Sequence, residues 1–483
     1  MADQFGNYIA GQWRETPQSV PNVNPSDLTD TIGLYAQATP GDLEDALEAA
    51  KRAQAIWGRS GLEKRYNVLM SIGAEMIARS GELGELLARE EGKPRAEGVG
   101  EVYRAGQFFT YYAAEALRQQ GDTADSVRDG IEVDVRREAM GVVAVISPWN
   151  FPTATASWKI APALAYGNAV LWKPANLTPA SAWALAEIIS RQDLPEGLFS
   201  LIMGSGGAIG QALIESRKVD AVTFTGSYEV GRQVAAAAAG NLTKFQLELG
   251  SKNAFLVMDD ADLDQAVDCA VNGAYFGSGQ KCTASSRLLV HEKVHDAFVE
   301  KTVAKLAQLK IGHALEEGTQ LGPIVSEGQL QSNLNYLELA GQEGCSLAFG
   351  GERLERATEG YYMAPALLTG STNAMRVNQE EMFGPIACVQ SIGSYEEGLA
   401  IANDTEYGLT AGIATRSLAR ATHFRRNVET GCVMINLPTA GTDYHVPFGG
   451  RKNSSFGPRE QGRYAAEFYT QVKTAYIRAG EPD

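Results

Sequence analysis

Cys282 follows Gly279, Gln280 and Lys281 and precedes Thr283. A free cysteine is by default a small buried hydrophobe. One flanked by glycine and polar side chains can instead present a thiolate, which adds to a carbonyl carbon. The adduct carries an oxyanion. The Asn150 amide, in the string Pro148-Trp149-Asn150-Phe151-Pro152, and the Cys282 backbone N–H are donors suited to it. Glu248, in Leu247-Glu248-Leu249-Gly250, is a carboxylate of the kind that activates water. The segment Phe224 to Gly231, containing Gly226, Ser227 and Val230, follows a strand pattern and opens a helix. Backbone N–H groups at such a helix mouth can take a pyrophosphate.

Three other patterns are weaker. Gly204, Gly206, Gly207 and Gly210 miss the spacing of a dinucleotide fingerprint by one residue, so a tight turn is expected there. The string His291-Glu292-Lys293-Val294-His295 spells a zinc-protease motif, but His291 reads as the end of a strand, which keeps the histidines off one helix face. Asp260, Asp262 and Asp264 alternate as in a calcium loop, yet Gln265 and Val271 stand where that loop needs Gly and Glu. No metal site is expected.

These residues need elements to hold them. Residues 41–117 carry helical periodicity. From Gly141 short β-branched runs (GVVAVIS, AVLWKP, LFSLIMG, VDAVTFTG) alternate with helical stretches, the signature of a parallel sheet covered by helices. A second alternating series begins at AFLVMDD and runs to about Asn436. The expected fold is α/β in two domains, with a seam near Glu248–Asn253 and extended arms at 119–137 and in the tail.

At 483 residues two or more domains are expected. With 42 basic against 58 acidic residues the net charge is −16, which argues against nucleic acid or an anionic membrane as partner. The start lacks the basic and apolar regions of a secretory signal, and no apolar run is long enough to span a bilayer, so a cytoplasmic location is expected. The five cysteines, an odd number without close pairs, give no disulfide framework.

The four strings around Asn150, Glu248, Cys282 and Glu380-Glu381-Met382-Phe383-Gly384-Pro385 come in order, and the chain resembles the aldehyde dehydrogenase superfamily nearly end to end, through Pro447-Phe448-Gly449-Gly450. The resemblance implies a Rossmann-like NAD(P)-binding domain at 1–118 and 138–250, a catalytic domain at 251–436, and a small β oligomerisation arm at 119–137 and 466–483 of a homodimer or homotetramer. It implies a Cys282 thiohemiacetal and thioester, with Asn150 at the oxyanion and Glu248 hydrolysing the thioester. It assigns Lys173 and Glu381 to ribose hydroxyls, and Phe383 to the nicotinamide ribose. Trp149, Gly226 and Ser227 fall at the pyrophosphate, with Ile146 and Val230 also in the cofactor site. Asn176 stands where NAD-specific relatives often carry Glu, so both NAD and NADP are expected. Two positions depart from the pattern, Ser251 and Ser455, each at a usual glycine. Both are expected beside the chemistry rather than in it.

Glu248 speaks against a CoA-acylating member, the intact Cys282, Asn150 and Glu248 against a structural protein, and the split histidines against a zinc hydrolase. The strings GQKCTASSR and TDYHVPFGGRKNSSFGPREQG resemble the bacterial branch acting on α-ketoglutaric semialdehyde. A substrate carboxylate needs a cation or several donors. Lys281, Thr283, Ser285, Arg287 and His445 are the candidates, with Trp158 and Phe448 as an apolar wall. The alternative is a broad-range enzyme for small aliphatic or aromatic aldehydes.

Overall fold

A computed structural model describes residues 3–119 and 121–480. The parts of the expected spans at 1–2, 120 and 481–483 lie outside the described residues. Four helices, Pro40–Trp57, Leu62–Ala78, Ser80–Glu91 and Arg95–Leu117, fill the N-terminal periodic region. Thr39 starts the first with a reciprocal cap to Asp42, and Gly92 in the left-handed conformation ends the third.

An eight-stranded sheet follows. Its interior runs Lys244–Glu248, Ala221–Thr225, Val142–Ile146, Ala169–Lys173 and Phe199–Leu201, all parallel. Taken in chain order these strands lie 3-2-1-4-5, with the switch between Val142–Ile146 and Ala221–Thr225. The apolar runs of the central strands Val142–Ile146 and Ala169–Lys173 are almost wholly buried because the helices Pro40–Trp57 and Pro152–Ala165 pack on them. The strands Asn7–Ile9 and Ser455–Phe456 add to the sheet antiparallel from the two ends of the chain.

A second, seven-stranded sheet is built from Asn253–Val257, Ser285–His291, Ile386–Ile392 and their neighbours, parallel except for the edge strand Ser346–Phe349. It has its own apolar clusters. A third, antiparallel sheet joins Asp122–Asp125, Glu132–Ala139 and Thr470–Ile477. The tail does not enter it at 466. Residues Ala466–Tyr469 form a short helix whose Phe468 and Tyr469 are buried in the core of the first sheet.

His291 ends its strand and caps the helix Glu292–Leu306, its Nδ1 accepting from the Lys293 N–H at 3.3 Å. Asp262 caps the helix Leu263–Tyr275. The Gly206–Gly210 segment is a single wide helical turn capped by Ser205. Among the described residues no helix is long and apolar enough to cross a membrane.

Candidate active site

The carboxyl ends of the first sheet's strands face the amino ends of the second sheet's strands. Between them lies a cavity of about 1410 Å³, open to solvent. From the first sheet come Ile146 and the turn after it, Thr225 to Ser227, and Glu248, the last residue of its strand. From the second come Cys282, just before Ser285–His291, and Glu381 to Phe383, just before Ile386–Ile392. This is the crevice at a topological switch point, where open α/β sheets hold ligands.

The turn that carries Cys282 is held from several sides. Gly277 and Gly279 have φ of 64° and 65°. A Cβ on Gly279 would fall 2.1 Å from the Gly384 carbonyl oxygen, so only glycine lets this turn lie against the 380–385 loop. The Gln280 Oε1 accepts from the Val325 N–H at 3.0 Å. Asn150 donates one amide N–H to the Gln280 carbonyl at 3.0 Å, leaving its second N–H for a ligand beside Cys282. Asn150 is itself positioned by Lys93, whose Nζ donates to its carbonyl at 2.6 Å and to Glu101 Oε2 at 2.7 Å. The other Glu101 oxygen accepts from the N–H groups of Thr153 and Ala154, at the start of the helix Pro152–Ala165.

Electrostatics oppose ionisation of the acids in the site. Burial, then Glu248 and Glu381, push the Cys282 thiol well above its usual range. Burial and the neighbouring Glu460 push the Glu248 carboxyl up strongly as well. Glu381 is pushed up to about 7 by burial, although it accepts from the Ser251 N–H at 2.8 Å. Behind Glu248 the buried Lys159 contacts Glu460 and donates to Thr223 Oγ1 at 2.8 Å.

The model of the aldehyde dehydrogenase family matches residues 13–475. The chain belongs to the aldehyde dehydrogenase family. It is 40% identical to the alpha-ketoglutaric semialdehyde dehydrogenase of Bacillus subtilis, over 98% of both chains. It is 38% identical to the alpha-ketoglutarate semialdehyde dehydrogenase of Haloferax volcanii, over 99% of both. The crystal structure of betaine aldehyde dehydrogenase from Staphylococcus aureus, in complex with NAD+, is similar at a TM-score of 0.96 and 32% identity, covering 99% of this chain and 95% of that one.

In this aldehyde dehydrogenase the cavity wall brings together Asn150, Glu248 and Cys282 with Ile146, Trp149, Gly226, Ser227, Val230, Glu381 and Phe383, and with Trp158 and Phe448. The Trp149 and Phe383 rings meet edge to face at 5.3 Å, and those of Trp158 and Phe448 lie 5.6 Å apart. The helix Tyr228–Gly240 starts at the wall, its Ser227 cap accepting from the Val230 N–H.

Other expected residues lie elsewhere. Lys173 is turned to the Pro174 carbonyl at 2.9 Å, and burial pushes it down to about 8. Asn176 is exposed and edges a small cavity of about 330 Å³ with Tyr35, Gln37 and Pro179. The expected carboxylate binders do not reach the large cavity. Lys281 is buried and turned toward the Asn272 carbonyl. Ser285 is paired with Thr439, which also donates to the Thr283 carbonyl. Arg287 is consumed by the carbonyls of Lys252, Ile401 and Ala402. His445 is exposed outside the wall, beside Tyr444. After Cys282 the chain enters the strand Ser285–His291, whose side chains alternate into the packed faces of the second sheet.

The wall also contains residues that sequence reasoning passed over. Thr155 lies one helical turn before Trp158, and Gln329, Ser332 and Tyr336 share a face of the helix Glu327–Gln342. Their 3- and 4-residue spacing was the available signal. Gln329 donates to the carbonyls of Met382 and Phe383, and Tyr336 to Glu380, so this helix holds the 380–385 loop.

Proposed function

We propose that the enzyme oxidises α-ketoglutaric semialdehyde to 2-oxoglutarate with NAD or NADP, through a thiohemiacetal and a thioester on Cys282. The observation that carries the substrate is the name shared by the Bacillus subtilis and Haloferax volcanii relatives, both matched over nearly their whole length. A nicotinamide cofactor fits the wall, because a helix start with free N–H groups and Gly226 suits a pyrophosphate, and Glu381 suits ribose hydroxyls. When bound, the cofactor supplies the hydride acceptor.

The residues divide the remaining work. Cys282, once deprotonated, adds through sulfur to the aldehyde carbon, and the free Asn150 N–H and the Cys282 N–H hold the oxyanion. When the oxyanion collapses, the carbonyl re-forms and the aldehyde hydrogen leaves as hydride, so the carbon is oxidised to a thioester. Glu248 takes a proton from water, the hydroxide equivalent adds to the thioester, and the C–S bond breaks to release the acid and the Cys282 thiolate. We assign residues 1–118 and 138–250 to cofactor binding and 251–436 to catalysis. We assign the sheet formed by 122–139 and 470–477 to assembly of a homodimer or homotetramer.

A panel of aldehydes scored by kcat/KM with both cofactors tests the substrate. α-Ketoglutaric semialdehyde should exceed acetaldehyde and benzaldehyde by roughly ten- to a hundredfold, the worth of hydrogen bonds to one charged group. A preference for uncharged aldehydes overturns this and selects the broad-range reading. One observation favours that second reading: the described residues of the large cavity wall include no Lys or Arg.

A further inference from the structure

We propose that Ser455 is a positioning residue for the water-activating carboxylate, fixing where Glu248 rests between turnovers. The inference rests on Glu248 being the base for thioester hydrolysis. Ser455–Phe456 is a short strand that adds antiparallel to the edge of Lys244–Glu248, and its register sets Ser455 directly opposite Glu248. Side chains so paired are close neighbours on one face. The register is pinned next door, where the Leu249 N–H donates to the Ser454 carbonyl at 2.8 Å and the Gly408 N–H to Ser454 Oγ at 3.0 Å.

The hydroxyl has one proton to give, and an ionised Glu248 can only accept it. Ser455 Oγ accepts from the Gly450 N–H at 2.6 Å and, with Glu248 ionised as water activation requires, donates to Glu248 Oε2, also at 2.6 Å. That separation is in the range of a charge-assisted O–H···O bond. Against the other carboxylate oxygen lies Gly449, where a Cβ would come within 2.8 Å of Oε1. A donor on one side and a bare backbone on the other define the resting place of the carboxylate. At a glycine, which the family resemblance places at this position, the donor would be missing.

Several charged or titratable groups also face Glu248: Glu460 and Arg459 from the C-terminal segment, Lys159 from the helix Pro152–Ala165, Cys282, and Cys432 from the strand Cys432–Ile435. Burial and Glu460 raise the carboxyl. The Ser455 hydroxyl, Lys159 and Arg459 act the other way and lower it. Losing a donor that favours the charged form moves a carboxyl upward, so loss of Ser455 should leave the base protonated at higher pH.

The test compares wild type, Ser455→Ala, Ser455→Gly, Ser455→Thr and Glu248→Gln with NAD+ and one good aldehyde. The burst and steady state of reduced cofactor are followed across pH, with melting temperatures alongside. Ala and Gly should each move the midpoint of the acidic limb of steady-state turnover up by about one to two pH units. Turnover on that limb should then fall roughly ten- to a hundredfold while the burst survives. Thr, which keeps the hydroxyl, should track wild type. If Glu248→Gln bursts without turning over, yet Ala and Gly keep the wild-type limb, Ser455 is not a positioning residue; a lowered melting temperature with an unmoved limb has the same meaning. If Glu248→Gln turns over normally, the assignment of the base itself fails.

Discussion

The Cys282 thiol is half-buried, and desolvation together with the carboxyls of Glu248 and Glu381 opposes its ionisation. With the thiol pushed up, the thiolate fraction grows about tenfold per pH unit. The rate constant of the burst, read by rapid mixing with saturating cofactor, should therefore rise steadily from about pH 6 to about pH 9. A flat profile would mean that the thiol is already ionised in the complex. Cys282→Ala should abolish activity, and each of the other four cysteines should be replaceable, since none of Cys269, Cys345, Cys388 and Cys432 lines the large cavity. An active Cys282→Ala enzyme would refute the thioester route. Asn176, on the small cavity it shares with Tyr35 and Gln37, is neutral, so its side chain does not repel a 2′-phosphate as a carboxylate would. Wild type should accept NAD and NADP within about a hundredfold in kcat/KM, under about 3 kcal/mol, and Asn176→Glu should lose NADP activity far more than NAD activity. Rejection of NADP by wild type a thousandfold or more would assign that selection to another group.

Among the elements, the helix Arg95–Leu117 reaches the site through one buried ion pair. Lys93 and Glu101 join the Asn150 turn to the first N–H groups of the helix Pro152–Ala165, and both side chains are almost wholly buried. Lys93 also lies 3.8 Å from the buried Glu91, so it is removal of Lys93 that leaves buried carboxylate charge uncompensated, at a cost of about 3–5 kcal/mol. Lys93→Met should lower the urea midpoint and also kcat, because the Asn150 carbonyl loses its anchor. In a cycle with Glu101→Gln the two losses should be strongly non-additive. Additive losses, or an unchanged kcat, would show that the pair does not hold the Asn150 turn.

For the whole molecule, the three-stranded sheet of 122–139 and 470–477 leaves Val472 at 59% and Tyr476 at 63% exposure on its edge strand. If this sheet assembles the oligomer, Val472→Asp combined with Tyr476→Asp should lower the mass measured by light scattering to that of a smaller species. An unchanged mass would put the interface elsewhere.

The fold class, the family and the cysteine–carboxylate–amide trio were legible in the sequence because each rests on local pattern: apolar strands alternating with periodic helices, and short strings around Cys282, Glu248 and Asn150. Contacts made across the chain were not. Ser251 and Ser455 read as neighbours of the chemistry, yet Ser251 Oγ contacts the Cys282 carbonyl and Ser455 holds Glu248 from 207 residues away. Lys281 and Arg287 read as free cations beside the nucleophile. The strand that follows turns Arg287 into a cluster of carbonyls, and Lys281 is buried behind the site. The wall formed by Gln329, Ser332 and Tyr336 was equally hidden, because no local rule says which helix face meets a cavity. Local propensity and motif chemistry determine which elements form and which atoms can react. Only tertiary packing decides which side chains point at one another, since that depends on strand register and on long-range pairing.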